Sequence, residues 1–253
     1  MDIFDLKGET AIVTGGSQGI GFAIAKGLAR AGATVIIANR NTAQGEQAAE
    51  ALRSLDHHAI AVKTDVTDIS SLKQMVSIVI EKFEKIDILV NNAGVIVRSP
   101  PEDITEEEWN YLFDINLKGL FFCCQLVGKE MIKRKKGKII NITSDASKQA
   151  VRNLSVYATS KAAIAHLTRN LALEWAKYGI NVNALGPGPT RTEMNRAHFE
   201  KHPQFLRELT ASLPAGRMGD PIDQVGAAVF LASKASDFVF GQNLLVDGGS
   251  AVS

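Results

Sequence analysis

The sequence predicts a doubly wound α/β domain, with helices on both faces of a parallel sheet. Two observations carry this. Short β-branched runs alternate along the chain with longer amphipathic stretches, the order that parallel strands joined by crossover helices require. The runs are also nearly continuous in apolar residues, as in Thr34-Val35-Ile36-Ile37, which suits strands buried on both faces. Length agrees: 253 residues fit one α/β domain, here expected over 1–253, and can bury a large core without a disulfide staple.

Composition narrows the function classes. Lys and Arg number 28 against 27 Asp and Glu, and 45% of residues are hydrophobic. That excludes dominant disorder and argues against nucleic acid as the main partner. No apolar run reaches a membrane span, and Met1-Asp2-Ile3-Phe4-Asp5 lacks the basic head of a secretory signal. The adjacent Cys123 and Cys124 cannot frame a zinc site or a useful disulfide. They read as buried, reduced thiols of a cytoplasmic protein. The five histidines, His57, His58, His166, His198 and His202, form no ligand pattern, so no metal is expected.

The first strand, Ala11-Ile12-Val13, runs into Thr14-Gly15-Gly16-Ser17-Gln18-Gly19-Ile20-Gly21 and a helix over 22–31. Glycines there let the backbone turn sharply and approach a pyrophosphate, which the helix N-terminus then holds. The spacing is Gly-x3-Gly-x-Gly, so position carries the inference: directly after a strand and opening a helix. A tight structural turn is the plain alternative. The second strand ends Ile37-Ala38-Asn39-Arg40, where a dinucleotide fold places an acid on the adenosine ribose. Asn39 has no charge to repel a 2′-phosphate and the Arg40 guanidinium can pair with one, which favours NADP(H) over NAD(H). Asp65-Val66 follow the third strand, over 59–62, and Asn91-Asn92-Ala93-Gly94 follow the fourth, over 86–90. Such residues at successive strand C-termini fit a ligand crevice, though singly each is turn chemistry.

In the helix over 117–131, Leu120, Phe121, Phe122, Cys123 and Cys124 run consecutively. That is more than one core face needs, and it points to a subunit interface. Lys133-Arg134-Lys135-Lys136 reads as a cationic last turn complementing the helix dipole. Ser144 follows the fifth strand, over 138–142. A long helix is marked by Ile164, Leu167, Leu171, Trp175 and Tyr178, with Tyr157 and Lys161 one turn apart at its start. Pro187-Gly188 follow the sixth strand, over 180–185, and the stretch over 186–220 is irregular, rich in Pro, Gly, Arg and His. Residues about 190–217 are expected to form a substrate lid. The last strand, over 243–246, ends in Val246-Asp247-Gly248-Gly249.

Taken together, Thr14-Gly15-x3-Gly19-x-Gly21, Asp65, Asn91-Asn92-Ala93-Gly94, Asn116, Ser144, Tyr157-x3-Lys161 and Pro187-Gly188 resemble the short-chain dehydrogenase/reductase family over essentially the whole chain. The resemblance implies a Rossmann-type sheet of seven strands ordered 3-2-1-4-5-6-7, a homotetramer, and exchange of hydride between a nicotinamide cofactor and a carbonyl or secondary alcohol. It also implies roles. Tyr157 is the acid or base, Ser144 holds the substrate oxygen, and Lys161 bonds the nicotinamide ribose. Asn116 holds a water of a proton relay, and Thr190 and Thr192 meet the cofactor, although Pro189 removes a backbone donor there. An ammonium beside a phenol is expected to lower the phenol's pKa from ~10.

Substrate is harder to read. The segment after Ser144 and the lid carry Lys148, Arg152, Asn153, Arg191, Arg196, His198, Lys201, His202 and Arg207. A cationic pocket suits a carboxylate-bearing substrate, so a polar keto acid or keto sugar is expected. Asp2-Ile3-Phe4-Asp5-Leu6 and Ala38-Asn39-Arg40-Asn41 are similar to gluconate 5-dehydrogenase-like members. A 3-oxoacyl-[acyl-carrier-protein] reductase and a non-catalytic nucleotide sensor stand as alternatives.

Overall fold

In the computed structural model, residues 3–252 are described; Met1 and Asp2 of the opening segment lie outside the described residues. Seven strands alternate with helices. The strands are β1 (Thr10–Thr14), β2 (Thr34–Asn39), β3 (Ala59–Lys63), β4 (Ile88–Asn91), β5 (Gly137–Ile142), β6 (Ile180–Pro187) and β7 (Asn243–Val246). The helices are α1 (Gly19–Arg30), α2 (Thr42–Arg53), α3 (Ile69–Phe83), α4 (Glu106–Phe113), α5 (Leu120–Arg134), α6 (Ser155–Trp175), α7 (Glu193–Lys201), α8 (Pro203–Ser212) and α9 (Val225–Ala232). The sheet order is β3-β2-β1-β4-β5-β6-β7, with every pair parallel, as the motif resemblance implied.

The continuous apolar runs are explained by two cores. Ala11 and Val13 of β1 join Ile24 and Leu28 of α1, Leu52 of α2 and Ala228 of α9 on one face. Ile12, pointing the other way, joins Leu72 and Met75 of α3, Val127 of α5 and Ile164 of α6. Period-two alternation thus feeds two hydrophobic layers instead of one. Cys123 and Cys124 are buried free thiols in the second core, and burial pushes Cys123 up to about 12. No helix among the described residues is long and apolar enough to cross a membrane.

Two segments depart from the expectation. The lid is not irregular: it folds as α7 and α8, whose Phe199, Leu206 and Leu209 pack with Leu213 and Met218. Pro203 interrupts the sequence pattern but stands at the first turn of α8, where a proline loses no hydrogen bond. Between α4 and α5 the chain forms a π-helical turn, Asp114–Gly119, so the two helices are one rod with a local widening.

The basic run also has structural duties. Arg134 pairs with Asp87 at 2.9 Å and Lys136 with Glu9 at 2.7 Å. Asp87, 1% exposed, also accepts the Thr10 N–H at 2.9 Å. Burial pushes its carboxyl up, but Thr10, Arg134 and Lys85 outweigh this and hold it below the ordinary range. The stabilisation is therefore present above pH ~4 and is lost as the pH falls. Asp87→Ala is expected to lower unfolding free energy by about 2–4 kcal/mol in urea titrations at neutral pH. A loss below about 0.5 kcal/mol would show the cluster to be ornamental.

Candidate active site

The C-terminal ends of β1, β2, β4, β5 and β6 open on one cavity of about 490 Å³, at the crevice where the strand order reverses. At β1 the chain turns through Gly15, φ +62°, and Gly19, φ +54°, a conformation that glycine adopts without strain. A Cβ at Gly21 would run into the Asn92 amide and the Gly15 carbonyl. That amide braces the turn from β4, donating to Thr14 O at 3.1 Å and Gly15 O at 3.0 Å. The Thr14 hydroxyl accepts the Asn92 and Ala93 N–H groups in return, at 3.0 and 3.1 Å.

At β2, Asn39 donates to Asn41 O at 2.9 Å and Arg40 is exposed. Arg40 lies near enough to Asp65 to act on its charge. Burial pushes the Asp65 carboxyl up, but the Thr67 hydroxyl and N–H, helped by Arg40, hold it below the ordinary range.

The chemical end is built by β5 and α6. Ser144, extended, follows β5 and caps the short turn Asp145–Ser147 by accepting Ala146 N–H at 3.2 Å. Tyr157 stands on the first turn of α6 and Lys161 one turn later, its ammonium donating to Ile142 O at 2.9 Å and lying 5.7 Å from the Tyr157 ring centroid. Burial pulls Lys161 down to about 8. Tyr157 moves opposite to the expectation: burial pushes the phenol up to about 12, more than Ser144 and Arg98 lower it, and the Asp145 charge raises it further. Lys161 has already lost its charge at the pH where the buried phenol ionises, so it does not offset this shift. Desolvation opposes the phenolate more strongly than nearby polarity favours it.

Asn116 sits in the π-helical turn and is 1% exposed. It takes both backbone groups of Val95, accepting N–H at 2.8 Å and donating to O at 2.9 Å. It also donates to Ser160 Oγ at 3.3 Å, and Ser160 donates to Tyr157 O at 2.7 Å. Asn116 thus ties the β4 loop to the helix that carries Tyr157 and Lys161.

The sequence-derived residues fall as follows. Gly15, Ser17, Gln18, Gly19, Ile20, Gly21, Asn39, Arg40, Asp65, Val66, Asn92, Ala93, Gly94, Ser144, Tyr157, Lys161, Pro187, Gly188, Thr190 and Thr192 all line the cavity, and Asn116 stands behind it. The expected pocket cations do not line it: Lys148, Arg152, Arg191, Arg196, His198, Lys201, His202 and Arg207 are absent from the wall, as is Asn153. Most are exposed; Arg196 pairs with Glu193 at 3.1 Å and Arg191 with Asp220 at 3.6 Å.

The wall holds instead Arg98, which sequence reasoning missed. Arg98 is half-buried and acts on the charge of Tyr157. Its nearest polar contact is Asn195 Oδ1 at 3.4 Å, and it has no carboxylate partner among the described residues. A signal was present: an arginine four residues beyond Asn92-Ala93-Gly94, just past a strand end. Asp145, Gln149 and Ser250 also line the wall. Met194, Phe199, Phe205 and Leu209 of the lid make its apolar side.

A family model described as enoyl-(acyl carrier protein) reductase matches residues 15–251. The chain is 40% identical over 252 residues to the gluconate 5-dehydrogenase of Gluconobacter oxydans (strain 621H), covering 100% of this chain and 98% of that one. It is 41% identical over 256 residues to the 5-keto-D-gluconate 5-reductase of Escherichia coli (strain K12), covering 100% and 99%. Among solved structures it is similar to a gluconate 5-dehydrogenase from Burkholderia cenocepacia J2315 in complex with NADP and tartrate, with a TM-score of 0.96, 40% identity, and coverage of 100% and 98%.

Proposed function

The chain belongs to the short-chain dehydrogenase/reductase family, and from that premise we propose that it interconverts the ketone of a polar sugar acid, of the 5-keto-gluconate kind, with its secondary alcohol, using NADP(H). The observation that carries the substrate class is Arg98. A half-buried guanidinium on the cavity wall, in reach of the Tyr157 charge and without a carboxylate of its own, is a receptor for a substrate carboxylate. The similar proteins named for gluconate and 5-keto-D-gluconate support this reading, as does the structure with bound tartrate.

The residues present fit the dinucleotide. The left-handed glycines and the close approach at Gly21 make a cradle that any side chain would fill. The open N-terminus of α1 would hold the pyrophosphate, and Arg40, on the same cavity wall, would pair with a 2′-phosphate. NADP(H), when bound, supplies the hydride. The chain's residues do the rest. Tyr157 gives its proton to the carbonyl oxygen in reduction or takes the hydroxyl proton in oxidation. Ser144 holds that oxygen. Lys161 holds the nicotinamide ribose and stabilises the phenolate, and Asn116 ties Val95 to Ser160 beside them. We read the chain as a single domain with a lid over about 190–217, as a cytoplasmic protein, and as a homotetramer. The exposed Leu173 and Phe238, 81% and 100% accessible, support the assembly reading as apolar surface a partner copy would cover.

Titration with NADPH and NADH, followed by a panel of 5-keto-gluconate, neutral keto sugars, an acetoacetyl thioester and an aromatic ketone, tests this. Keto-acid turnover with NADPH is expected; turnover of the thioester alone sinks the substrate reading. Arg40→Ala is expected to weaken NADPH binding about 10–100-fold and NADH binding less than about threefold. Equal losses for both cofactors would remove Arg40 from 2′-phosphate recognition.

A further inference from the structure

The lid and the cavity wall meet at one side chain. Asn195 lies on the first turn of α7, three residues after Thr192, where the helix begins. From that position a side chain commonly turns back to cap its own helix. Asn195 turns back further. Its Nδ2 donates to Thr190 O at 3.2 Å and, more distantly, to Thr192 Oγ1 at 3.5 Å. Its Oδ1 accepts Arg98 Nη2 at 3.4 Å. Arg98 makes no other hydrogen bond or ion pair among the described residues. Asn195, Arg98, Thr190 and Thr192 all line the cavity.

The two ends of the amide are not interchangeable. A backbone carbonyl only accepts, so the nitrogen must face Thr190. The oxygen is then left for the guanidinium, which only donates. The Thr190 end is rigid. Thr190 is 3% exposed, and its hydroxyl donates to Gly188 O at 2.8 Å. Its chain neighbours are both tied to Gly219, whose N–H donates to Pro189 O and whose carbonyl accepts Arg191 N–H, each at 2.9 Å. The Arg98 end is a long side chain on a loop, which has rotamers to lose. The chemistry of the contact also matters. A carboxylate at position 195 would hold the guanidinium more tightly but would neutralise it. A neutral carbonyl holds it and leaves its charge to attract an anion.

We propose that Asn195 is a positioning residue for substrate selection: anchored through its nitrogen on Thr190, it aims the Arg98 guanidinium into the cavity with an uncharged oxygen, so that Arg98 is held in place and still carries its charge for a substrate carboxylate. The lid is on this account part of the carboxylate receptor. The proposal rests on the reading of Arg98 as that receptor.

The test is a double-mutant cycle with Arg98→Met, read as KM and kcat on 5-keto-gluconate and on a neutral keto sugar (an inhibition constant where the sugar does not turn over). NADPH affinity and thermal midpoint are the folding controls. Asn195→Ala is expected to raise the keto-acid KM about 5–20-fold, with kcat within about threefold and the neutral-sugar constant within about twofold. Asn195→Asp is expected to raise the keto-acid KM about 50–200-fold, because its carboxylate competes with the substrate's for Arg98. It places an acid on the first turn of α7, which the helix dipole favours, so the thermal midpoint is not expected to fall. In the Arg98→Met background both substitutions are expected to change the keto-acid KM less than about twofold, because their target is gone. An Asn195→Asp protein with the parent's keto-acid KM, equal rises for the acid and the neutral sugar, or equal effects with and without Arg98 would each overturn the proposal. If Asn195→Ala does not fold, Asn195→Asp and its cycle with Arg98→Met decide by the same criteria. Absence of keto-acid turnover, or equal losses on both substrates in Arg98→Met alone, would instead overturn the underlying substrate reading and this proposal with it. A selective Arg98→Met loss beside indifferent Asn195 variants would sink only the role of Asn195.

Discussion

Replacing Tyr157 with phenylalanine is expected to lower kcat about 10³-fold in either direction, with NADPH affinity held within about threefold. The ring remains to pack on α6, and only the transferable proton is lost. The pH profiles give a second reading of the same group. With the phenol at about 12, it is protonated at every ordinary pH, so reduction has its acid fully loaded and is expected to be flat through neutrality. Oxidation needs the phenolate, which at pH 7 is about 10⁻⁵ of the population, so its rate is expected to climb about tenfold per pH unit. Lys161 sets the bend. Its pKa is drawn down to about 8, so the ammonium is present below that pH and lost above it. Without that charge the phenolate loses its support, so reduction is expected to fall above about pH 8 and the oxidation climb to flatten there. Tyr157→Phe is expected to lack both features. A variant keeping more than about a tenth of kcat would remove Tyr157 from proton transfer.

Arg98→Met is the second large effect. It keeps the volume and apolar stem and removes only the fork of donors. For a keto acid, kcat/KM is expected to fall about 10²–10³-fold, the range for loss of a charge-assisted contact in a partly desolvated site. For a neutral keto sugar of similar size the loss is expected to stay below about fivefold. The ratio between the two substrates is the informative number. Equal losses on both would mean that Arg98 acts on the Tyr157 proton and not on a carboxylate, since the two groups are in electrostatic reach.

The frame was legible because its determinants are local. A strand buried on two faces must be apolar throughout, and the β1 run shows this directly, with Val13 in one core and Ile12 in the other. The glycine turn and the Tyr157–Lys161 spacing are likewise local. Burial of a single polar group is not. The place of Arg98 just beyond the fourth strand was readable, but not that it lies on the cavity wall while Arg196 lies in solvent against Glu193. The same blindness affects the phenol, whose shift follows from the dry space around it and not from the lysine four residues on. The lid helices were obscured by Pro203 and the histidines, because a proline that breaks a pattern and a proline that starts a helix read alike until the chain is folded.

The π-helical turn at Asp114–Gly119 bears on how such an enzyme can lose its activity. A π turn holds one residue more than an α-helix needs to cover the same rise, so the flanking segments keep their faces whether or not the extra residue is there. Shortening this turn by one codon would leave α4 and α5 in register with their cores and close the backbone ladder into an ordinary helix. The residue lost to alignment would be Asn116, and with it the tie between Val95 and Ser160.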